Sequence, residues 1–188
     1  MKALAICGSP RMNGNTMLIA RHTLNSLDEE GIETELISLS GLSIQGCNAC
    51  LACLKEEQCT IEDDLMPLYR KIREADGVIL ATPVYFGSAT ALMKGFMERT
   101  GYIMRNNRLN CVGKVGGPLV VARRGGLTFT LAQMYYWFQT LEFYMPGVRT
   151  WNIGVGRDPG DVANDKEGMD AAWRFGKSMA VLMKAVQK

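Results

Sequence analysis

The chain carries one histidine, His22, in 188 residues. A serine–histidine–aspartate hydrolase would have to use it. It falls in a helix-like stretch among polar neighbours and reads as a solvated helix residue. Proline is scarce, at 6, and the 20 glycines are dispersed, which excludes collagen-like and linker-like segments. No apolar run approaches the roughly 20 residues that a membrane span needs. Val78-Ile79-Leu80-Ala81 is typical of the longest. The opening Met-Lys is not followed by a signal-peptide core and cleavage site, so the expected location is the cytoplasm. Charge of one sign is also missing: 21 Lys plus Arg stand against 19 Asp plus Glu. A net charge of +2 gives no general attraction to nucleic acid or to an anionic membrane, so any ligand is bound at a local site.

What is present is ordinary for a globular protein, with 47% hydrophobic and 21% charged residues. The length suits one domain with a core that needs no disulfides. Short, nearly continuous apolar runs at 2–7, 77–82 and 115–122 suit strands buried on both faces of a parallel sheet. The segment 32–39 alternates imperfectly and reads as a strand near the sheet edge. A short strand is expected at 150–155. Helical spacing covers 15–30, Asp63 or Asp64 to about Ala75, 89–100, 128–142 and 165–187. Strand and helix thus alternate five times, which implies crossover connections and helices on both faces. The expected architecture is an α/β fold, a flavodoxin-like doubly wound parallel sheet of five strands in the order 2-1-3-4-5. It is read as a single domain over 1–188, with a cysteine-rich insertion at 43–62 after the second strand.

In such sheets a ligand sits beyond the carboxyl ends of the strands. Three loops leave those ends. The first, Gly8-Ser-Pro-Arg-Met-Asn-Gly-Asn-Thr16, joins hydroxyls, amides and an arginine to a helix start, a combination that suits an anion. It fails as a Walker loop, because Asn15 stands where the lysine belongs. It fails as a Cys-x5-Arg phosphatase loop, because only three residues separate Cys7 from Arg11. The second loop, Thr82-Pro-Val-Tyr-Phe-Gly-Ser88, puts two aromatic side chains beyond a strand end, where a flat ligand would explain them. The third, Ala122-Arg-Arg-Gly-Gly126, has glycines that permit close backbone approach and arginines able to offset negative charge on a reduced ring.

Four of the six cysteines lie within 13 residues, as Cys47-x2-Cys50-x2-Cys53-x5-Cys59. In a cytoplasmic setting disulfides are not expected. Two-residue spacings let thiolates converge on one inorganic core, and the longer gap lets the chain turn back with a fourth ligand. A [4Fe–4S] cluster is the favoured occupant, with zinc and free or redox-active thiols as alternatives. The acidic residues Glu56, Glu57, Glu62, Asp63 and Asp64 read as solvated or as helix caps. Cys7 and Cys111 read as packing residues. Met97, Met134, Met169, Met179 and Met183 suit core or subunit packing. The run Tyr135-Tyr136-Trp137-Phe138 is too aromatic for one helix to bury, which suggests a subunit surface.

The motifs Gly8-Ser9-Pro10-Arg11…Gly14-Asn15-Thr16 and Thr82-Pro83-Val84-Tyr85-Phe86-Gly87-Ser88…Met93-Lys94 resemble the flavodoxin-like NAD(P)H-dependent FMN reductase and quinone reductase superfamily. The cysteine run resembles its iron–sulfur flavoprotein branch. The resemblance implies that FMN phosphate rests on Ser9, Arg11, Asn15 and Thr16, and that residues 83–88 line the ribityl chain and isoalloxazine. The cofactor-binding candidates are Ser9, Arg11, Asn13, Gly14, Asn15, Thr16, Pro83, Val84, Tyr85, Phe86, Gly87, Ser88, Arg124 and Gly125. The metal-ligand candidates are Cys47, Cys50, Cys53 and Cys59, and no catalytic side chain is assigned. The expected function is an FMN-dependent oxidoreductase relaying electrons between FMN and a [4Fe–4S] cluster. The alternative is an NAD(P)H-dependent FMN or quinone reductase without a cluster. An electron-carrier flavodoxin would want an acidic docking surface that net charge +2 does not supply. Expected partners are a small-molecule or protein electron donor or acceptor and further copies of the chain, as a homodimer or homotetramer.

Overall fold

A computed structural model describes residues 1–109 and 111–186. Five parallel strands, β1 (Lys2–Cys7), β2 (Glu33–Ser38), β3 (Gly77–Pro83), β4 (Val115–Ala122) and β5 (Ile153–Val155), lie in the order β2-β1-β3-β4-β5. Five helices join or follow them: α1 (Asn15–Asp28), α2 (Leu65–Glu74), α3 (Ala91–Asn106), α4 (Leu127–Thr140) and α5 (Lys166–Val186). Position 187, included in the expected last helix, lies outside the described residues.

The pleat divides the strand side chains between two cores. Leu4, Ile6, Val78, Leu80 and Val120 face α2, α3 and α4. Ala3, Ala5, Ile79, Ala81, Leu119 and Val121 face α1 and α5. The smaller alanines on that second face leave room for bulky helix residues such as Phe175, Met179 and Met183. Helix α5 reaches α1 through Gly176, where a Cβ would stand 1.9 Å from Ser26 Oγ. Met97, Met134, Met179 and Met183 are buried, as expected, while Met169 is half-buried.

Three local expectations differ. Helix α3 continues to Asn106 rather than ending at residue 100, because Ile103 and Met104 go on feeding the core. Strand β5 begins only at Ile153, after the extended pairing of Val120 N–H with the Asn152 carbonyl. His22 is half-buried rather than solvated, with its ring 5.0 Å from that of Trp173 and Nε2 3.2 Å from the Met169 carbonyl oxygen. The segment 43–62 has no regular structure beyond a single 3-10 turn at Ala52–Leu54.

Candidate functional site

Two sites stand on this frame. The first is a cleft at the carboxyl ends of β1, β3, β4 and β5, lined by Ser9, Arg11, Gly14, Asn15, Thr16, Pro83, Val84 and Tyr85 from the expected loops. Val121, Ala122, Arg123, Gly156 and Arg157 complete it. The N-terminus of α1 opens onto the cleft with Gly14 as cap and no side-chain cap hydrogen bond. Its first N–H groups have no intrahelical partner, and the helix dipole adds partial positive charge there. Three arginines, Arg11, Arg123 and Arg157, border the cleft, and no acid is among the described residues that line it. Uncapped N–H donors and three cations suit a phosphate dianion.

Each candidate has a definite place. The Ser9 hydroxyl is buried in a local turn, 3.3 Å from the Arg11 carbonyl and accepting from Arg11 N–H at 3.1 Å. The Asn15 side chain lines the cleft and also bonds the loop after the fifth strand. Its Nδ2 donates to the Asp158 carbonyl at 2.9 Å, and its Oδ1 accepts from Gly160 and Val162 N–H at 2.8 and 3.3 Å. Asn15 therefore carries the 156–162 loop, and its second Nδ2–H and its backbone N–H remain for an anion. Thr16 is buried at the helix start, and Asn13 is exposed outside the cleft lining. Of the arginine pair, Arg123 rather than Arg124 borders the cleft, and Gly125 is exposed beside it. Arg157 and Gly156 were missed by sequence reasoning. Their only signal was position, immediately after the fifth strand.

Tyr85 to Ser88 form a tight reversal, with Tyr85 N–H to the Ser88 carbonyl at 2.8 Å and the reciprocal bond at 3.1 Å. Both central residues have positive φ, 51° at Phe86 and 78° at Gly87. A phenylalanine in that region is strained by about 1–3 kcal/mol. Phe86 is nonetheless wholly exposed. A large apolar side chain held outward by a strained turn beside a cleft offers a face to a flat ligand. The turn is fixed from behind: Ser88 Oγ donates to Gln133 Oε1 at 2.9 Å, and Ala89 N–H reaches the same oxygen at 3.3 Å.

The second site is a pocket lined by all four clustered cysteines, together with Arg99, Ile103 and Asn106 of α3. Cys47 and Cys50 are exposed, whereas Cys53 and Cys59 pack half-buried against the core. Each sulfur has a hydrogen-bond partner. Ala49 N–H donates to Cys47 at 3.4 Å, Asn106 Nδ2 donates to Cys53 at 3.1 Å, and Thr60 Oγ1 lies 3.4 Å from Cys50. Arg99 Nε and Nη2 donate to Cys59 at 3.3 and 3.2 Å. The Thr60 contact, with a backbone N–H, holds the Cys50 thiol below its ordinary pKa. Cys7 and Cys111 are buried far from water, and burial pushes each thiol up to about 11. They are packing residues, as expected.

Among the described residues, no group of three His, Cys, Asp or Glu side chains is drawn closely enough together to hold one metal ion. The four sulfurs surround a pocket without meeting at a point, and apolar Leu51, Ile61 and Ile103 wall it. That donor set fits a multi-atom core: soft thiolates, N–H donors to sulfur, and a partly dry wall. Asp63 is neither solvated nor a simple cap. Its side chain is 1% exposed and paired with Arg99, and it accepts from Gln45 N–H at 3.0 Å and Leu65 N–H at 3.1 Å. Burial pushes its carboxyl up, but these partners more than offset that, and the net shift is downward.

The model of the NADPH-dependent FMN reductase family matches residues 1–158. An iron–sulfur flavoprotein of Methanocaldococcus jannaschii is 39% identical over 200 aligned positions, covering 100% of each chain. One from Methanosarcina thermophila is 32% identical, covering 100% of this chain and 98% of its own. Among solved structures, RosB with a bound 8-demethyl-8-formylriboflavin-5'-phosphate superposes with a TM-score of 0.78 at 19% identity, over 100% of this chain and 80% of that one. An archaeal flavodoxin superposes with a TM-score of 0.63 at 14% identity, over 98% of this chain and 99% of its own. These two share the fold.

Proposed function

The chain belongs to the NADPH-dependent FMN reductase family and is an FMN-dependent oxidoreductase; from that premise we propose that it relays electrons between FMN in the strand-end cleft and a [4Fe–4S] cluster held by Cys47, Cys50, Cys53 and Cys59. The observation that carries this reading is the shared pocket of the four cysteines, each sulfur with its own hydrogen-bond partner. Packing alone does not require four thiols around one pocket, two of them exposed. The names of the two full-length relatives support the same reading.

FMN exchanges electrons in pairs or singly while a cluster takes one at a time, so the pairing connects two-electron donors with one-electron acceptors. The protein's part is binding and orientation. Arg11, Arg123, Arg157 and the α1 N-terminus would hold the phosphate, and the 83–88 turn would support the ring. Arg124 and Gly125 would approach from the third loop, and Asn13 from the tip of the first. The four cysteines would ligate iron, with Arg99 and Asn106 donating to their sulfurs. No protein nucleophile is needed. In this reading the protein works in the cytoplasm as a homodimer or homotetramer, with a small-molecule or protein electron donor or acceptor.

The test is an absorption spectrum of anaerobically purified protein with FMN, iron, labile sulfide and zinc measured on the same sample. About one FMN per chain with four irons is expected. Replacing any one of Cys47, Cys50, Cys53 or Cys59 by Ser should reduce iron and spare FMN, while Cys7→Ser and Cys111→Ser should leave iron unchanged. FMN with no iron would return the chain to a cluster-free NAD(P)H-dependent reductase. Equal iron loss in all six variants would refute the ligand assignment.

A further inference from the structure

Arg99 is the charged residue that is buried as a whole among those described, 1% exposed in mid-α3. A guanidinium has five N–H donors and no acceptor. All five are used here. Nη1 donates to the Gln45 carbonyl at 3.3 Å and to the Asp63 carboxylate. Nη2 donates to the Ile61 carbonyl at 3.2 Å and to Cys59 Sγ at 3.2 Å, and Nε donates to the same sulfur at 3.3 Å. The Nε–Nη2 edge is the fork that ordinarily grips a carboxylate or phosphate. Asp63 engages Nη1 instead, and the fork is turned onto a single sulfur. The other three cysteine sulfurs are partnered by a backbone amide, a hydroxyl and a side-chain amide, none of them charged.

We propose that Arg99 positions Cys59 as a distinct corner of the metal site and sets the reduction potential there, through a charged two-pronged N–H···S clamp. This rests on the cluster reading above. Hydrogen bonds to cluster sulfurs and nearby positive charge stabilise the reduced, more negative form and so raise its potential. The clamp is delivered from a rigid helix, which fixes the sulfur better than the irregular insertion could by itself. Asp63 balances the buried charge and keeps the guanidinium oriented. The same side chain also ties Gln45 near the start of the insertion to residues 59–63 at its end, so a purely structural clasp is the alternative to exclude.

The experiment compares wild type, Arg99→Lys and the double variant Arg99→Gln/Asp63→Asn. All are reconstituted anaerobically with iron and sulfide, assayed for FMN and iron, and titrated with EPR detection. Arg99→Lys keeps a cation but loses the fork. The double variant removes one positive and one negative charge, leaves no buried ion unpaired, and retains the net charge. Both should keep FMN. The midpoint potential should become more negative, more so in the double variant, or one iron should be lost to leave a three-iron signal. A full cluster at the wild-type potential in the double variant would overturn the proposal. So would loss of all the iron in both variants with FMN retained, the mark of a structural clasp on the insertion. Wild type that takes up FMN but no iron would instead sink the cluster reading on which the proposal stands, and the proposal with it.

Discussion

Arg11 and Asn15 stand in the same loop, and the sequence assigns both to the phosphate, but they act differently. Arg11 is exposed at the cleft with its guanidinium available to a ligand. Asn15 is buried, and its amide makes three hydrogen bonds to a loop more than 140 positions away. Arg11→Ala should weaken FMN binding by roughly 1.5–3 kcal/mol, the range of a charge-assisted hydrogen bond, and leave the unfolding midpoint of the FMN-free protein unchanged. Asn15→Ala should destabilise the FMN-free protein itself, by about 1–3 kcal/mol, because buried N–H and carbonyl groups of the 156–162 loop lose their partner. Fluorescence titration with FMN and urea unfolding of both variants separate the two roles. Equal effects on stability would refute the distinction. The sequence made the loop's anion chemistry legible but not this division of labour, because a partner so distant in sequence leaves no local pattern. Asp63 escaped for the same reason. Beside Asp64 at a helix start it looks like a cap, and only the fold brings Arg99 to it.

Among the elements, α3 has a part in both sites. Its N-cap, Thr90, accepts from Met93 N–H at 3.2 Å and donates from the same hydroxyl to the Gly8 carbonyl at 2.7 Å, tying the helix to the first cleft loop. Farther along, Gly95 lets the backbone at Gln45 pass within 3.1 Å of where a Cβ would be, and Arg99, Ile103 and Asn106 wall the cysteine pocket. Thr90→Ala should cost about 1–2 kcal/mol through the lost cap, more if the Gly8 carbonyl stays unpaired. Thr90→Ser keeps both bonds and should restore most of it. Thermal melts of the two variants check this, and equal destabilisation would remove the cap argument. The helix runs on through Gly101, a poor helix former, to Asn106. The smallness of Gly101 serves packing, since a Cβ there would lie 3.0 Å from Trp137 Nε1. Strands β1, β3 and β4 were legible because two-sided burial writes itself as continuous apolar runs. The fifth was overextended, since Trp151 is exposed and only three residues pair with β4.

For the whole molecule, the alternation of elements made the strand order legible, but a surface has no such period. Two features point beyond one chain. Along α3, the residues that line the cysteine pocket, Arg99 to Asn106, lie about 14–24 Å from Thr90 at 1.5 Å per residue. The outer face of α4 leaves Phe129 79% and Tyr136 65% exposed, while Phe138 is buried and Trp137 donates to the Met97 carbonyl at 2.8 Å. The aromatic run is therefore half core and half surface. We propose a homodimer or homotetramer in which residues 43–62 or 128–142 of one chain lie close to another chain's FMN, so that burial of the aromatics and a short electron path come from one contact. Light scattering at micromolar concentration should give a mass of two or four chains. Subunit mixing tests the path directly. A Cys53→Ser chain retains FMN without a cluster, and an Arg11→Ala chain at limiting FMN retains the cluster without flavin. Neither should relay electrons alone, and the mixed oligomer should recover part of the activity in trans. A monomer in which flavin-to-cluster transfer remains fast would defeat the proposal, because the electron would then cross within one chain and the exposed aromatics would have no part in it.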